Sequence, residues 1–369
     1  MNLAYRWFCK LDLDDPIPDH STFSKNRHGR FRDSQTFRWV FERVLQRCMT
    51  EGLVGGEGFA TDASIIKADV KQQRRVAGDS DMDWGDPEQA TRPIREYLAV
   101  LEETNDPKPT PKEISLTDPA ASWTAAAGGF PFFAYSTHYL VDLKAGIIVD
   151  VEASAVSKTA EAEATQTMIE RVEETFDLKP ERLVGDTNYG TAAILGWLVD
   201  VKHIEPHVPV WDKSERKDGT FSRSGFRFDA ENNRYICPAG KFLKTAWRSK
   251  KKNPYRYRAS QQDCQSCPLK VQCCPNMAQR NIDRSPHESA RDVAPAIAKT
   301  DAYQQSSMER KKVEMLFAHL KRILRLDKLR LRGFSGARDE FLLVATAQNL
   351  RRMAKRLAVK APKAMVIPA

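Results

Sequence analysis

The chain contains no run of about 18 apolar residues, and its opening stretch, "MNLAYRWFCKLDLDD", mixes charged and apolar residues instead of building a signal-peptide core. Neither a membrane span nor a secretory leader is expected from these stretches, and the expectation is a cytoplasmic protein with no membrane partner. Cysteine is sparse, with seven in 369 residues, which points to thiols or metal ligands and not to a disulfide framework. Acid is scarce at one end: residues 301–369 hold 16 Lys/Arg against 6 Asp/Glu, whereas the formal charge of the whole chain is +9. The other 300 residues are therefore close to neutral. A basic end suits a polyanionic partner, although a solvated basic helix surface gives the same count. With 41% hydrophobic and 29% charged residues the chain is neither disordered nor fibrous, and its length allows one large domain with insertions or two domains.

Hydropathy periodicity divides the chain. Residues 1–54 read as a helical amino-terminal region, with Ser34 as a helix cap and Phe37, Val40, Phe41, Val44, Leu45 and Cys48 at helical spacing behind it. Cys9 and Cys48 read as core residues. "PDHSTFSKNRHGRFR" is a capped basic stretch that could touch phosphate or simply form a helical hairpin. "EGFATDASIIKADV" predicts a short strand ending at Asp62, and residues 67–130 predict an insertion with one helix around 92–104. Residues 133–153 alternate as a hairpin turning at Lys144 to Gly146, a helix follows over about 158–176, and "RLVGDTNYG" is a strand stopping at Asp186. A helix near 191–200 and a strand at "IEPHVPV" precede a Cys-rich, basic insertion over 205–300. Amphipathic helices beginning near Gln304 and over about 338–357 close the chain before a tail at 358–369. Strand, hairpin, helix, strand predicts an α/β fold, a mixed sheet flanked by helices, over 55–357.

Asp62 and Asp186 each fall at a predicted strand end, where a carboxylate can point into a cleft. Hard oxygen ligands converging from separate elements suit Mg²⁺, and a pair of such ions about 4 Å apart serves phosphoryl transfer. On the last-but-one helix, Ser307, Arg310, Glu314 and Lys321 fall on one side beside the apolar face, so Glu314 can face a site while Leu316 and Leu320 face the core. On these grounds alone, a basic surface helix with one glutamate reads equally well.

The stretches "PDHSTFSKNR", "TDASIIKA", "LVGDTNYG" and "RKKVEMLFAHLKRILRLDKLRLRG" resemble bacterial insertion-sequence transposases of the DDE class over nearly the whole chain. The resemblance implies a ribonuclease H-like sheet whose catalytic, metal-binding residues are Asp62, Asp186 and Glu314. Arg310, four residues before the glutamate, and Lys321, seven after it, would bind phosphates. It further implies two Mg²⁺ or Mn²⁺ ions, water-driven nicking followed by attack of the freed 3′-hydroxyl on target DNA, and double-stranded DNA as partner, both as transposon ends and as target. A homo-oligomer in the DNA complex and association with the nucleoid follow from the same resemblance. Ser307 stands where the family often has tyrosine, and the family usually has a longer region before "LAYRWF", so the chain is expected to be truncated there and to distinguish element ends poorly. Two readings remain beside an active transposase: a catalytically inactive DNA-binding remnant, and a ribonuclease H-like nuclease.

Cys237, Cys264, Cys267 and Cys273, with Cys274 adjacent, have the spacing of a tetrahedral Zn²⁺ site built around "CQSC". Reduced thiols without metal, or a disulfide pair, are the alternatives. Between Cys237 and Cys264, "KFLKTAWRSKKKNPYRYR" carries eight Lys/Arg and no acid, interleaved with Trp247, Tyr255 and Tyr257. Lys250, Lys251, Lys252, Arg256 and Arg258 are thus candidate DNA-binding residues, with the rings either stacking on exposed bases or packed beneath the loop. His138, His203 and His207 read as structural strand residues.

Overall fold

The computed structural model describes residues 6, 9–17, 19–31, 34–80, 82–86, 89–103, 110–125, 128–157, 159–210, 218–248 and 255–360. Helices α1 (His20–His28) and α2 (Thr36–Thr50) are followed by β1 (Gly58–Lys67), β2 (Arg75–Ala77), α3 (Arg92–Glu103), β3 (Glu113–Ser115), β4 (Ser122–Thr124), β5 (Phe132–Asp142) and β6 (Ile147–Ser154). Next come α4 (Ala160–Phe176), β7 (Arg182–Val184), α5 (Ala192–Gly196), which runs into a π turn at Trp197–Lys202, and β8 (Glu205–His207). Strands β9 (Arg227–Asp229), β10 (Arg234–Ile236), β11 (Phe242–Arg248), β12 (Tyr255–Ala259) and β13 (Asn281–Arg284) enclose the short helices α6 (Gln261–Gln265) and α7 (Lys270–Cys273). Three helices finish the chain: α8 (Glu288–Ile297), α9 (Asp301–Arg322) and α10 (Phe334–Lys360).

The main sheet is mixed. β5 lies antiparallel to β1, with Asp62 opposite Tyr139, while β7 and then β8 continue in parallel on the far side of β1. β4 and β6 pair with successive stretches of β5. Nearly every residue of β5 and β6 is buried, the pattern of strands covered on both faces. Their hairpin turns at Gly146, φ +70°, and Asp142 fixes it by accepting the Lys144 amide at 3.0 Å and the Gly55 and Gly56 amides at 2.9 and 2.8 Å. On α10, Asn349 accepts the Ile148 amide and donates to the Ile148 carbonyl, both at 2.8 Å, so the helix satisfies backbone groups of β6 that no further strand pairs.

β9 to β13 form a separate antiparallel meander around Tyr235, Leu243, Tyr257 and Ile282. Its first strand begins at Arg227, and β8 belongs to the main sheet, so the second sheet occupies a shorter span than the expected 205–300.

Several local expectations need correction. Ser34 does not cap α2: its hydroxyl engages the Thr36 hydroxyl at 2.7 Å, and Gln35 holds the cap position. β1 does not stop at Asp62 but runs on to Lys67, because its ladder with β5 continues through the polar residues. The 67–130 segment contributes β4 to the main sheet, as well as the two-stranded ribbon of β2 and β3. α9 starts at Asp301, where the Thr300 side chain accepts the Tyr303 amide. Cys9 is exposed and not in the core, whereas Cys48 is buried as expected. His203 is no strand residue either; it ends the π turn in the left-handed region at φ +55°.

Candidate active site

Three elements bring the expected carboxylates to one region of the main sheet. Asp62 lies mid-way along β1, half-buried, with its side chain accepting the Ala63 amide at 2.8 Å. Asp186 follows β7 and caps a single 3₁₀ turn at Thr187–Tyr189, accepting the Asn188 amide at 2.8 Å. That turn is tightly constrained. A side chain at Gly185 would meet the Tyr189 ring at 2.8 Å, and one at Gly190 would meet the Pro209 carbonyl at 2.4 Å. "VGDTNYG" therefore needs both glycines for close approach, not for unusual φ.

Glu314 comes from α9, whose Val313, Leu316 and Leu320 are buried and whose Phe317 packs edge-on against Tyr139 at 5.4 Å. The helix is pinned to β7 by the Arg182 guanidinium, which donates to Glu309 at 3.1 Å. Glu314 itself is exposed, with Arg310 one turn earlier at 3.8 Å from its carboxylate.

The charges interact. Burial is the main reason the Asp62 carboxyl is pushed up to about 6; Asp186 and Glu314 add to the rise, while the Ala63 amide and the Arg310 guanidinium oppose it. A fourth carboxylate belongs to the group. Glu161, in the first turn of α4, is raised above the usual glutamate range by burial and then by the charges of Asp186 and Asp62, with a hydrogen bond to the Asn188 side chain acting the other way. Asn188 thus stands between Asp186 and Glu161. The sequence offered only a weak signal for Glu161, because acids in a first helical turn are ordinarily explained by the helix dipole.

The donor set fits Mg²⁺ in kind: hard oxygens from separate elements, partly open to solvent. Among the described residues no three His, Cys, Asp or Glu side chains stand close enough to hold an ion by themselves. Mg²⁺ takes most of its ligands from waters and substrate phosphates, so sparse protein donors are compatible with it.

The cysteines meet elsewhere. Cys237, Cys264, Cys267, Cys273 and Cys274 line one small cavity of about 30 Å³ beside the second sheet. None is in a disulfide, which removes that alternative for the described structure. Burial and then the Cys274 thiol push the Cys273 thiol up to about 12. The thiols share the cavity, yet no three of them are drawn in to ligating distance.

A match to the family described as transposase DDE domain covers residues 236–354, taking in the cysteine cluster, Arg310, Glu314 and Lys321, while residues 1–29 match the family described as transposase domain (DUF772). Both matches are to transposase families, and together they support a transposase of the DDE class. No curated protein and no solved structure matches the chain. Asp62 and Asp186 fall between the two matched segments of the chain.

Of the expected DNA contacts, Lys321 is exposed on α9. Arg256 is engaged by Asp283 through two bonds of 2.6 and 2.8 Å, and Arg258 donates to Asn281 at 3.3 Å. Lys250, Lys251 and Lys252 lie outside the described residues, as does the Trp247 side chain. Tyr257 is a core residue, its ring 2% exposed and its hydroxyl bonded to Asn233, which corrects the base-stacking expectation for that ring. His138 is likewise buried and bonded to Ser154 at 2.7 Å. No helix among the described residues is long and apolar enough to cross a membrane.

Proposed function

We propose that this DNA transposase cleaves and rejoins strands at Asp62, Asp186 and Glu314, on a ribonuclease H-like sheet, with two Mg²⁺ or Mn²⁺ ions held by those carboxylates. The supporting observation is the electrostatic convergence of Asp62 on β1, Asp186 after β7 and Glu314 on α9, with Arg310 among them. A strand order in which β1 is flanked by antiparallel β5 and parallel β7 agrees with this reading. Ions held by these carboxylates would supply Lewis acidity for the attacking and the leaving oxygen.

The protein groups have separable tasks. Asp62, held in β1, supplies the least mobile ligand, and Asp186 is oriented by the Asn188 amide. Arg310 offsets part of the carboxylate charge and, when DNA binds, can turn to a non-bridging phosphate oxygen. Lys321 reaches a neighbouring phosphate from the same helix. Glu161 positions Asp186 through Asn188. Cys237, Cys264, Cys267 and Cys273 or Cys274 would hold one Zn²⁺ and so stabilise the five-stranded sheet, and the basic β11–β12 segment follows the DNA backbone. The active complex is a homo-oligomer on DNA in the nucleoid.

The test is a nicking assay on labelled duplex carrying the element's own end. Cleavage that requires Mg²⁺ or Mn²⁺ and leaves a 3′-hydroxyl is expected. Cleavage indifferent to chelation, or none with either ion, would contradict the reading.

A further inference from the structure

A cavity of about 720 Å³ opens between α1, α3 and the loop that leads into α10. Six arginines line it: Arg27, Arg74, Arg92, Arg95, Arg330 and Arg332. The one acid in its wall is Asp69, already paired with Arg332 at 3.0 Å and Lys328 at 2.9 Å. Arg74, Arg95 and Arg330 make no ion pair among the described residues.

Two of the guanidinium groups are left incomplete inside the protein. Arg27 is 2% exposed; its Nε donates to Asp339 at 2.9 Å, but its Nη2 has no acceptor. Arg92 is held by Glu96 and Ser335, yet its Nη1 is buried without a partner. Guanidinium has only donors, and a buried charged donor without an acceptor is costly. Both groups are sealed from solvent, so they raise the positive potential of the cleft from beneath and do not themselves touch a ligand in it. Arg27, Arg92 and Arg332 are already paired with acids, whereas Arg74, Arg95 and Arg330 come from three separate segments, so the complementary ligand carries phosphates in series.

The position is informative. A second cavity, of about 350 Å³, adjoins the first through Asp69 and Arg330 and adds Arg325, Lys328 and one further acid, Asp327. Lys328 bridges to Lys67 at the end of β1, the strand that carries Asp62.

We propose that this arginine-lined cleft is a duplex-DNA backbone site, engaging a stretch of duplex beyond the one at the carboxylates. The inference rests on the reading of the protein as a DNA-cleaving transposase. None of the cleft arginines belongs to the basic β11–β12 segment or to α9.

The experiment uses the full chain and a fluorescent duplex of random sequence, titrated at several salt concentrations. Arg74→Ala, Arg95→Ala and Arg330→Ala are combined in one variant, and the exposed Lys144, Lys179 and Lys299, outside the cleft, are changed to Ala in another that loses the same charge. Thermal melts check that each variant folds, and Arg330→Glu alone serves if the triple variant does not. Three lost phosphate contacts should weaken binding and make the plot of log affinity against log salt shallower by about 2 to 3, with little change in the lysine variant. Equal effects in both variants, or none in either, would overturn the cleft while leaving wild-type DNA binding, and so the transposase reading, intact. Wild-type protein that binds no duplex, or prefers duplex RNA, would overturn the DNA reading as well.

Discussion

The Thr61 and Thr165 hydroxyls meet at 2.8 Å, both side chains fully buried, tying β1 to α4 one residue before Asp62. Thr165 also donates to the Glu161 carbonyl at 2.9 Å. The strand that carries the first carboxylate and the helical turn that carries the fourth are therefore held by one hydroxyl. Thr165→Val should cost about 1–3 kcal/mol by stranding the Thr61 hydroxyl, and Thr165→Ser should retain most of the stability. Urea unfolding measures both. Glu161→Gln should fold normally but bind Mn²⁺ about 10- to 100-fold more weakly, the usual effect of removing a group that orients a metal ligand. Unchanged Mn²⁺ affinity would remove Glu161 from the site.

His138 makes the stability sensitive to acid. Its ring is 0% exposed in β5, and burial lowers its pKa from 6.5 to about 4, only partly offset by Glu152. The unfolded chain takes up a proton below about 6.5 while the folded chain does not, so this contribution is full above that pH and is lost as the pH falls toward 4. The loss amounts to about 3 kcal/mol. His138→Gln should lose correspondingly less stability than wild type between pH 7 and 4. Parallel pH profiles for the two proteins would contradict the buried, neutral assignment.

Much of this was legible from the residues. The β5–β6 hairpin, α4, and the Asp186 turn lie close to where periodicity puts them, since their apolar spacing and Gly146 leave few alternatives. Other features depend on partners distant in sequence. Nothing local tells that β4 joins the main sheet by pairing with Phe132 to Ala134, or that Tyr257 turns inward to Asn233. Ser34 looks like a cap because Ser commonly is one, yet the neighbouring Thr36 hydroxyl competes for it. Glu161 and the arginine cleft are assembled from segments far apart in the chain, beyond the reach of spacing rules.

The cysteine cavity predicts a metal content. One zinc per chain is expected in protein purified without chelator. Chelation should raise hydrogen exchange in β9–β13 before the main sheet responds, because the second sheet has its own small core. A bound cation would also reverse the upward push on the Cys273 thiol. Metal-free protein with an equally protected second sheet would refute the zinc assignment.

The central claim is that Asp62, Asp186 and Glu314 work as one unit. Burial is the main cause of the raised Asp62 carboxyl, and the Asp186 and Glu314 charges add to it, so neutralising any one of the three relieves an unfavourable charge and should not unfold the protein. The decisive measurement is Mg²⁺-dependent nicking of element-end duplex by Asp62→Asn, Asp186→Asn and Glu314→Gln, with duplex affinity and melting temperature recorded for each. The account predicts that each variant loses at least about a thousandfold in cleavage, about 4 kcal/mol in the barrier, while binding and melting stay near wild type. A variant that folds, binds DNA and still nicks at the wild-type rate would contradict it.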